Sequence, residues 1–181
     1  EPDAMTADGL IEAGILQELS LGVEALGLNV AEAQQRQLMG YMALIQKWNK
    51  VYNLTALRRP QEILTHHFLD SLSAISPLLR HIVKTKGVPH AEIELLDVGS
   101  GGGLPGVVIA ICCPNVSGTC VDTVSKKAAF VQQVAASLKL SNLRGVHARV
   151  ESLTGPFDII CARAFASLPD FVNWSIGALS D

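Results

Sequence analysis

Leu38, Met42, Ile45 and Trp48 recur at steps of four, three and three, the spacing of one helix face, and predict an amphipathic helix ending near Tyr52. After Pro60 a longer stripe runs through Leu64, Phe68, Leu72, Ile75, Leu79 and Ile82, with steps of four, four, three, four and three. It predicts one continuous helix with an apolar stripe against a core, and His66 and Asp70 facing away. Those two stand at i and i+4, where a solvated side-chain pair is the plainest reading. The helical pattern extends from about Leu10 to Val83. Residues 84–91, with Gly87 and Pro89, form the natural seam. The expected organisation is a helical N-terminal cap over residues 1–91 and an α/β domain over 92–181.

Past the seam the period changes. Ile93–Val98 and residues 116–121 read as buried strands, residues 145–148 as a weak strand and 157–162 as a stronger one. Helices are predicted over 104–113, with Pro105 in the first turn, and after Ser125, which is placed to cap a helix carrying Phe130, Val134 and Leu138 on one face. A last amphipathic segment, 168–179, follows Ser167 as its cap. Alternating strands and helices with short connections imply a parallel sheet covered by helices, an α/β fold.

Composition narrows the class. With 181 residues and 49% hydrophobic content the chain can bury a sizeable core. No apolar run is long enough to span a bilayer, and the acidic start at 1–8 does not resemble a secretion signal. Cys112, Cys113, Cys120 and Cys161 lie in apolar runs without zinc-ligand spacing, so buried reduced thiols in a cytoplasmic protein are expected, and no metal. A net charge of −3 argues against bulk electrostatic gripping of nucleic acid. Any RNA contact must be local, drawn from Arg58 and Arg59, Lys126 and Lys127, Arg149 and Arg163.

The chemistry centres on residues 97–106, Asp-Val-Gly-Ser-Gly-Gly-Gly-Leu-Pro-Gly, between a predicted strand and a predicted helix. A dinucleotide GxGxxG read from Gly99 would need glycine where Leu104 stands. Read from Gly101 it reaches Gly106, but with Gly103 and Pro105 inside it. Asp97, Gly99, Gly101 and Gly103 fit D-x-G-x-G-x-G without strain, which is similar to the first motif of class I S-adenosylmethionine-dependent methyltransferases. Four strands are counted, fewer than a complete sheet of that Rossmann-like class, so C-terminal strands are expected to be missing. Asp122, ending the second strand, suits a pair of ribose hydroxyls, with a helix cap as the alternative. In an open α/β sheet ligands bind beyond the carboxyl ends of the strands, where Gly99, Asp122, residues 149–151 and Arg163 fall. Glu151 suits an adenine amino group or is a surface carboxylate. Arg163 leaves a buried strand and must find a partner, as a functional group or as a structural ion pair.

Four blocks then carry a family resemblance: Trp48-Asn49-Lys50 with Tyr52-Asn53-Leu54-Thr55, His67-Phe68-Leu69-Asp70-Ser71, residues 97–106, and residues 163–168. In order and separation they resemble the RsmG (glucose-inhibited division protein B) family. That resemblance implies a 16S rRNA guanine-N7 methyltransferase with a helical cap on a class I domain, acting on 16S rRNA, the small ribosomal subunit or its assembly intermediate. It implies S-adenosyl-L-methionine contacts at Gly99, Gly101, Gly103, Leu104, Val150, Glu151 and Arg163, with Asp122 at the ribose. It places Asn53, Arg58, His67 and Asp70 near the mouth of the site, and the local basic residues Lys126 and Lys127 are expected as further RNA contacts. Two positions depart from the pattern: Ser152 stands where many relatives have a second Glu, and Thr65-His66 precedes His67 where Arg-His is common.

Guanine N7 offers an in-plane lone pair and no proton, so methylation there needs alignment rather than a general base. Arg163 is accordingly expected to orient the base through O6 or a neighbouring phosphate, leaving N7 clear. An accessible guanine must be unstacked, with Phe165 and Tyr52 as stacking candidates or, alternatively, core residues. The rival functions are a small-molecule methyltransferase using the same cofactor, an NAD-dependent oxidoreductase disfavoured by Leu104, and an RNA-binding module disfavoured by the charge.

Overall fold

A computed structural model of the chain describes residues 6–163 and 175–179. Helix α1 (Ala7–Ala25) begins at Thr6, whose hydroxyl accepts the Gly9 N–H. Helix α2 (Glu32–Tyr52) carries the first predicted stripe, with Leu38, Met42 and Ile45 buried, and stops at Asn53 in the left-handed conformation.

The second stripe forms helices, but not one helix. It divides into α3 (Pro60–Ile63), a π-helical segment (Leu64–Leu69), α4 (Asp70–Ser73) and α5 (Ile75–Lys86). The two successive four-residue steps, Leu64 to Phe68 to Leu72, are wider than the α period, and the π turn absorbs that excess while keeping all three fully buried. Gly87, at φ +82°, ends α5.

The sheet consists of β1 (Ile93–Val98), β2 (Val116–Asp122), β3 (Leu143–His147) and β4 (Ile159–Cys161), in the order β3-β2-β1-β4 and parallel throughout. The strand expectations thus hold in number and direction. β3 starts earlier than predicted and β4 is shorter. Helix α6 (Gly106–Cys112) connects β1 to β2, and α7 (Ser125–Ser137) connects β2 to β3. Ser125 does not cap α7. Val124 occupies the N-cap, and its N–H is taken by the Asp122 carboxylate at 2.9 Å. The predicted helix over 168–179 falls mostly outside the described residues, of which 176–178 form a 3₁₀ turn.

One apolar core runs from the N-terminal helices into the sheet, joining Leu19, Leu38 and Phe68 to Val107, Val131 and Leu143. At its centre Tyr41 stacks on Phe68 with ring centroids 5.2 Å apart, and Phe130 lies 6.3 Å away. Such pairs contribute roughly 0.5–1.5 kcal/mol each beyond the area they bury. Trp48 meets the edge of Phe130 at 5.3 Å, so α2 and α7 are held by aromatic contact.

Gly106 is the tightest backbone approach in the described core that faces a site residue. A Cβ there would lie 2.6 Å from Cys120 Sγ and 2.8 Å from Asp97 Oδ2, whereas one on Gly102 would meet nothing. Gly106→Ala should therefore lose about 1–3 kcal/mol of stability by overpacking, and Gly102→Ala should stay within about 0.5 kcal/mol. Urea unfolding of the two variants measures the contrast.

Candidate functional site

The loop after β1 is built on glycines whose backbone no other residue adopts easily. Gly99, Gly101 and Gly103 have φ of +64°, +58° and +96°. Above Gly99, Gly101 and Gly102 the space is open, while Gly103 faces inward on Val107, Tyr41 and Val131. The loop's positive φ angles, more than crowding, require glycine at 99 and 101.

Three side chains pin this loop from beneath. Asp97 Oδ2 accepts the Gly106 N–H at 2.8 Å, Asp122 Oδ2 accepts the Gly101 N–H at 3.0 Å, and the Tyr41 hydroxyl donates to the Gly102 carbonyl. Asp122 therefore acts on the loop and on the start of α7 together, since its other oxygen holds Val124. The ribose and capping readings of this residue are compatible: each carboxylate oxygen keeps a second lone pair. Asp97 is fully buried and its Oδ1 has no partner. Burial, the largest cause, and the nearby Asp122 charge push its carboxyl up to about 8, against the opposing Gly106 N–H.

Two clefts flank the loop. One, of about 760 Å³, is lined by Gly99, Asp122, Lys127, His147, Val150 and Glu151 among others. The second, of about 550 Å³, is lined by Gly99, Gly101, Leu104, Thr55, His67 and Arg163 among others. Gly99 and Lys127 belong to both. The carboxyl ends of the strands thus gather most of the residues expected at a cofactor. Gly103, which packs inward, lines neither cleft.

The second cleft joins residues far apart in the chain. Arg163 Nη1 donates to His67 Nδ1 at 3.0 Å, Nη2 donates to the His66 carbonyl, and Asp70 Oδ2 lies 3.0 Å from Nη2. At the C-terminal end of the π-helical segment the Asp70 N–H donates to the His67 carbonyl, and the His66 carbonyl accepts from Arg163. Asp70 accordingly pairs with Arg163 and not, as the i,i+4 spacing suggests, with His66. An arginine only donates, so His67 Nδ1 is an acceptor and the proton sits on Nε2, which contacts Thr55 Oγ1 at 2.7 Å. Burial first, and then the Arg163 charge, lower the His67 pKa and so favour its neutral form.

Of the other expected RNA contacts, Asn53, Arg58 and Lys126 are engaged within the protein. Arg58 reaches the Asn49 carbonyl at 3.2 Å and Asn53 Oδ1 at 2.6 Å, tying the loop after α2 to that helix. Lys126 lies 5.0 Å from the centroid of the half-exposed Tyr52 ring, a cation–π contact. None of Asn53, Arg58, Asp70 and Lys126 lines either cleft. Phe165 lies outside the described residues. All four cysteines are free thiols, and burial raises the pKa of each, to about 12 for Cys112 and about 11 for Cys113. Among the described residues no group of His, Cys, Asp and Glu is placed to hold a metal ion, and no helix is long and apolar enough to cross a membrane.

Tyr41 and Thr55 carry contacts that the sequence reading did not assign. Tyr41 sits on the apolar stripe of α2, and a tyrosine forced into a core needs a partner for its hydroxyl, a signal available from spacing alone. Thr55 lay within a family block but had no role attached.

A parallel α/β sheet with a glycine loop at the end of its first strand and a carboxylate at the end of its second defines a Rossmann-like domain of the class I methyltransferase type. A Plasmodium falciparum protein described as a protein-L-isoaspartate O-methyltransferase, crystallised with S-adenosyl-L-homocysteine, shares this fold, with a TM-score of 0.52 and 15% identity over 93% of this chain and 79% of that one. The GidB family model, rRNA small subunit methyltransferase G, matches residues 34–181. Relatives named ribosomal RNA small subunit methyltransferase G include one from Paracidovorax citrulli, 62% identical over 90% of this chain and 69% of its own length, and one from Acidovorax ebreus, 63% identical over 88% and 71%. The chain belongs to the GidB family.

Asp97 gives the site a measurable signature. A carboxyl raised from 3.8 to about 8 binds its proton more tightly in the folded state. Its contribution to stability is complete below the unfolded value, is lost as pH rises, and is gone above about 8. Wild type should lose more stability than Asp97→Asn between about pH 5 and about pH 9 in urea unfolding. Equal losses would place the proton elsewhere.

Proposed function

We propose that the chain methylates N7 of a guanine in 16S rRNA of the small ribosomal subunit, using S-adenosyl-L-methionine. The single observation that carries this reading is the pair of clefts meeting at Gly99, one beside Asp122 and the other beside Arg163, in a chain of the GidB family. The residues present fit the cofactor. Space is open over Gly99, Gly101 and Gly102, and the carboxylates of Asp122 and Glu151 edge the first cleft. Asp122 would hold the ribose hydroxyls, Val150 and Glu151 the adenine, and Gly101 with Leu104 the methionine portion. When bound, S-adenosyl-L-methionine supplies an electrophilic methyl group on sulfur.

The protein's task toward the base is orientation. N7 brings its own lone pair and releases no proton, so no side chain has to act as a base, and effective alignment supplies the rate. Arg163 suits that task because it lines the second cleft while His67, His66 and Asp70 fix its guanidinium. Its remaining N–H donors would meet O6 or a phosphate of the RNA and leave N7 unobstructed. Lys127, which lines both clefts, supplies positive charge where the RNA backbone would approach. A small-molecule methyltransferase would use the first cleft equally well, but it would have no need for a cationic second cleft. Residues 1–91 act in this reading as the cap through which substrate is admitted, with residues 92–181 holding the cofactor.

Incubation with methyl-labelled S-adenosyl-L-methionine and either unmodified small subunits, naked 16S rRNA or a small-molecule pool tests the reading. Label is expected in one rRNA guanine whose strand cleaves as an N7-methyl adduct. Label in small molecules, or none despite cofactor binding, would overturn it. Arg163→Ala should lose about 100-fold or more in transfer while retaining a cooperative unfolding transition.

A further inference from the structure

Arg163 is held by a neighbour whose own state is set one residue further away. His67 offers Nδ1 to Arg163 at 3.0 Å only while that nitrogen is unprotonated, and Thr55 Oγ1 faces the opposite ring nitrogen at 2.7 Å. Thr55 is itself fixed. Its N–H donates to Asn49 Oδ1 at 2.9 Å, its hydroxyl accepts the Leu57 N–H at 3.2 Å, and Asn49 is buried and also donates to the Leu57 carbonyl at 3.0 Å. The turn after α2 is thereby closed on Asn49 and fixes the Thr55 hydroxyl at the His67 ring, with a second lone pair open to its Nε2–H. We propose that Thr55 and His67 are positioning residues for Arg163: Thr55 holds the His67 ring as its Nε2–H tautomer, which keeps Nδ1 as the acceptor that aims the guanidinium into the second cleft.

The alternative tautomer would put an N–H against an arginine N–H, two donors facing each other, and would release Nη1 from its fixed direction. The ordering contact is therefore conditional, unlike the Asp70 ion pair, which tolerates rotation of the guanidinium. Asp70 is well exposed, so its pairing alone holds Arg163 weakly. Besides burial, which disfavours protonation most, the groups facing the imidazole are Arg163, which disfavours it, Asp70, which favours it, and His66, whose backbone hydrogen bond favours it more than its ring charge opposes it. Lys127 lines the same cleft. Protonation of His67 removes the acceptor, so turnover falls on the acid side, through a pKa below the ordinary 6.5.

The proposal rests on the methyltransferase reading for its kinetic consequence, but its structural half is measured without turnover. Long-range proton–nitrogen correlation on the whole chain should find His67 as the neutral Nε2–H tautomer near neutral pH, and Thr55→Val should shift it toward Nδ1–H, with Thr55→Ser restoring it. In the transfer assay Thr55→Val and His67→Ala should lower kcat about tenfold or more, with KM for S-adenosyl-L-methionine changed less than about threefold. His67→Asn, whose amide oxygen can accept from Arg163 without any tautomer choice, should recover most of the turnover lost in His67→Ala. Asp70→Asn should move the acid limb of the kcat profile to lower pH, a shift that a purely structural role would not produce. An Nδ1–H tautomer in wild type, a tautomer unmoved in Thr55→Val, or a His67→Asn as slow as His67→Ala would overturn the proposal. Absence of rRNA methylation by wild type would instead strike the function reading and leave the tautomer result standing.

Discussion

The Tyr41 hydroxyl, delivered to the Gly102 carbonyl from the centre of α2, is the contact on which the site depends. A loop with three glycines at positive φ is costly to hold in one shape, because glycine gives up more conformational freedom on ordering than any other residue. Beyond its own turn at the Ser100 carbonyl and the bonds of Gly99 and Ser100 to the Val121 carbonyl, it is held by Tyr41 from the core, by Asp97 at Gly106 and by Asp122 at Gly101. Tyr41 is fully buried between Phe68 and Phe130, so its ring cannot move without disturbing both the π-helical segment and α7. The N-terminal helices and the cofactor loop are in this sense a single packed unit.

That coupling explains how two separated segments build one cleft. The aromatic cluster fixes α2 and the π turn against α7, and this places His66, His67 and Asp70 within reach of Arg163 at the end of β4. The π-helical segment has a specific part, since it carries His66, whose carbonyl accepts from the arginine. Gly22 supports the same element from behind: a Cβ there would lie 2.4 Å from Leu69 Cδ2, so α1 closes directly on the π-helical segment.

Much of this was legible from residues alone, for identifiable reasons. β1 is a short, mostly apolar run, interrupted at Glu94 and Asp97 and followed by Gly99, and its predicted ends coincide with those found. Asp122 and the glycines were readable because their chemistry is local to a strand end. The break in the second stripe was not read, although two four-residue steps in succession hinted at it, because a wide turn and a slightly drifting α-helix bury the same side chains. Ser125 seemed the cap of α7 by residue type, but Asp122 already satisfied the Val124 N–H. The Arg58 and Lys126 expectations came from charge, which cannot tell a free cation from one bonded to Asn53 or lying over Tyr52. Likewise the Thr55–His67–Arg163 chain needs three segments in register, and no spacing within one segment encodes that.

If the cap residue Tyr41 orders the loop, its hydroxyl should be felt at the cofactor site. Calorimetric titration of S-adenosyl-L-homocysteine into wild type and Tyr41→Phe measures this directly, since the substitution keeps the stacked ring and removes only the donor. A net hydrogen-bond contribution of about 1 kcal/mol corresponds to roughly fivefold weaker binding in the variant. Equal affinities, in a variant that still unfolds cooperatively, would contradict the account.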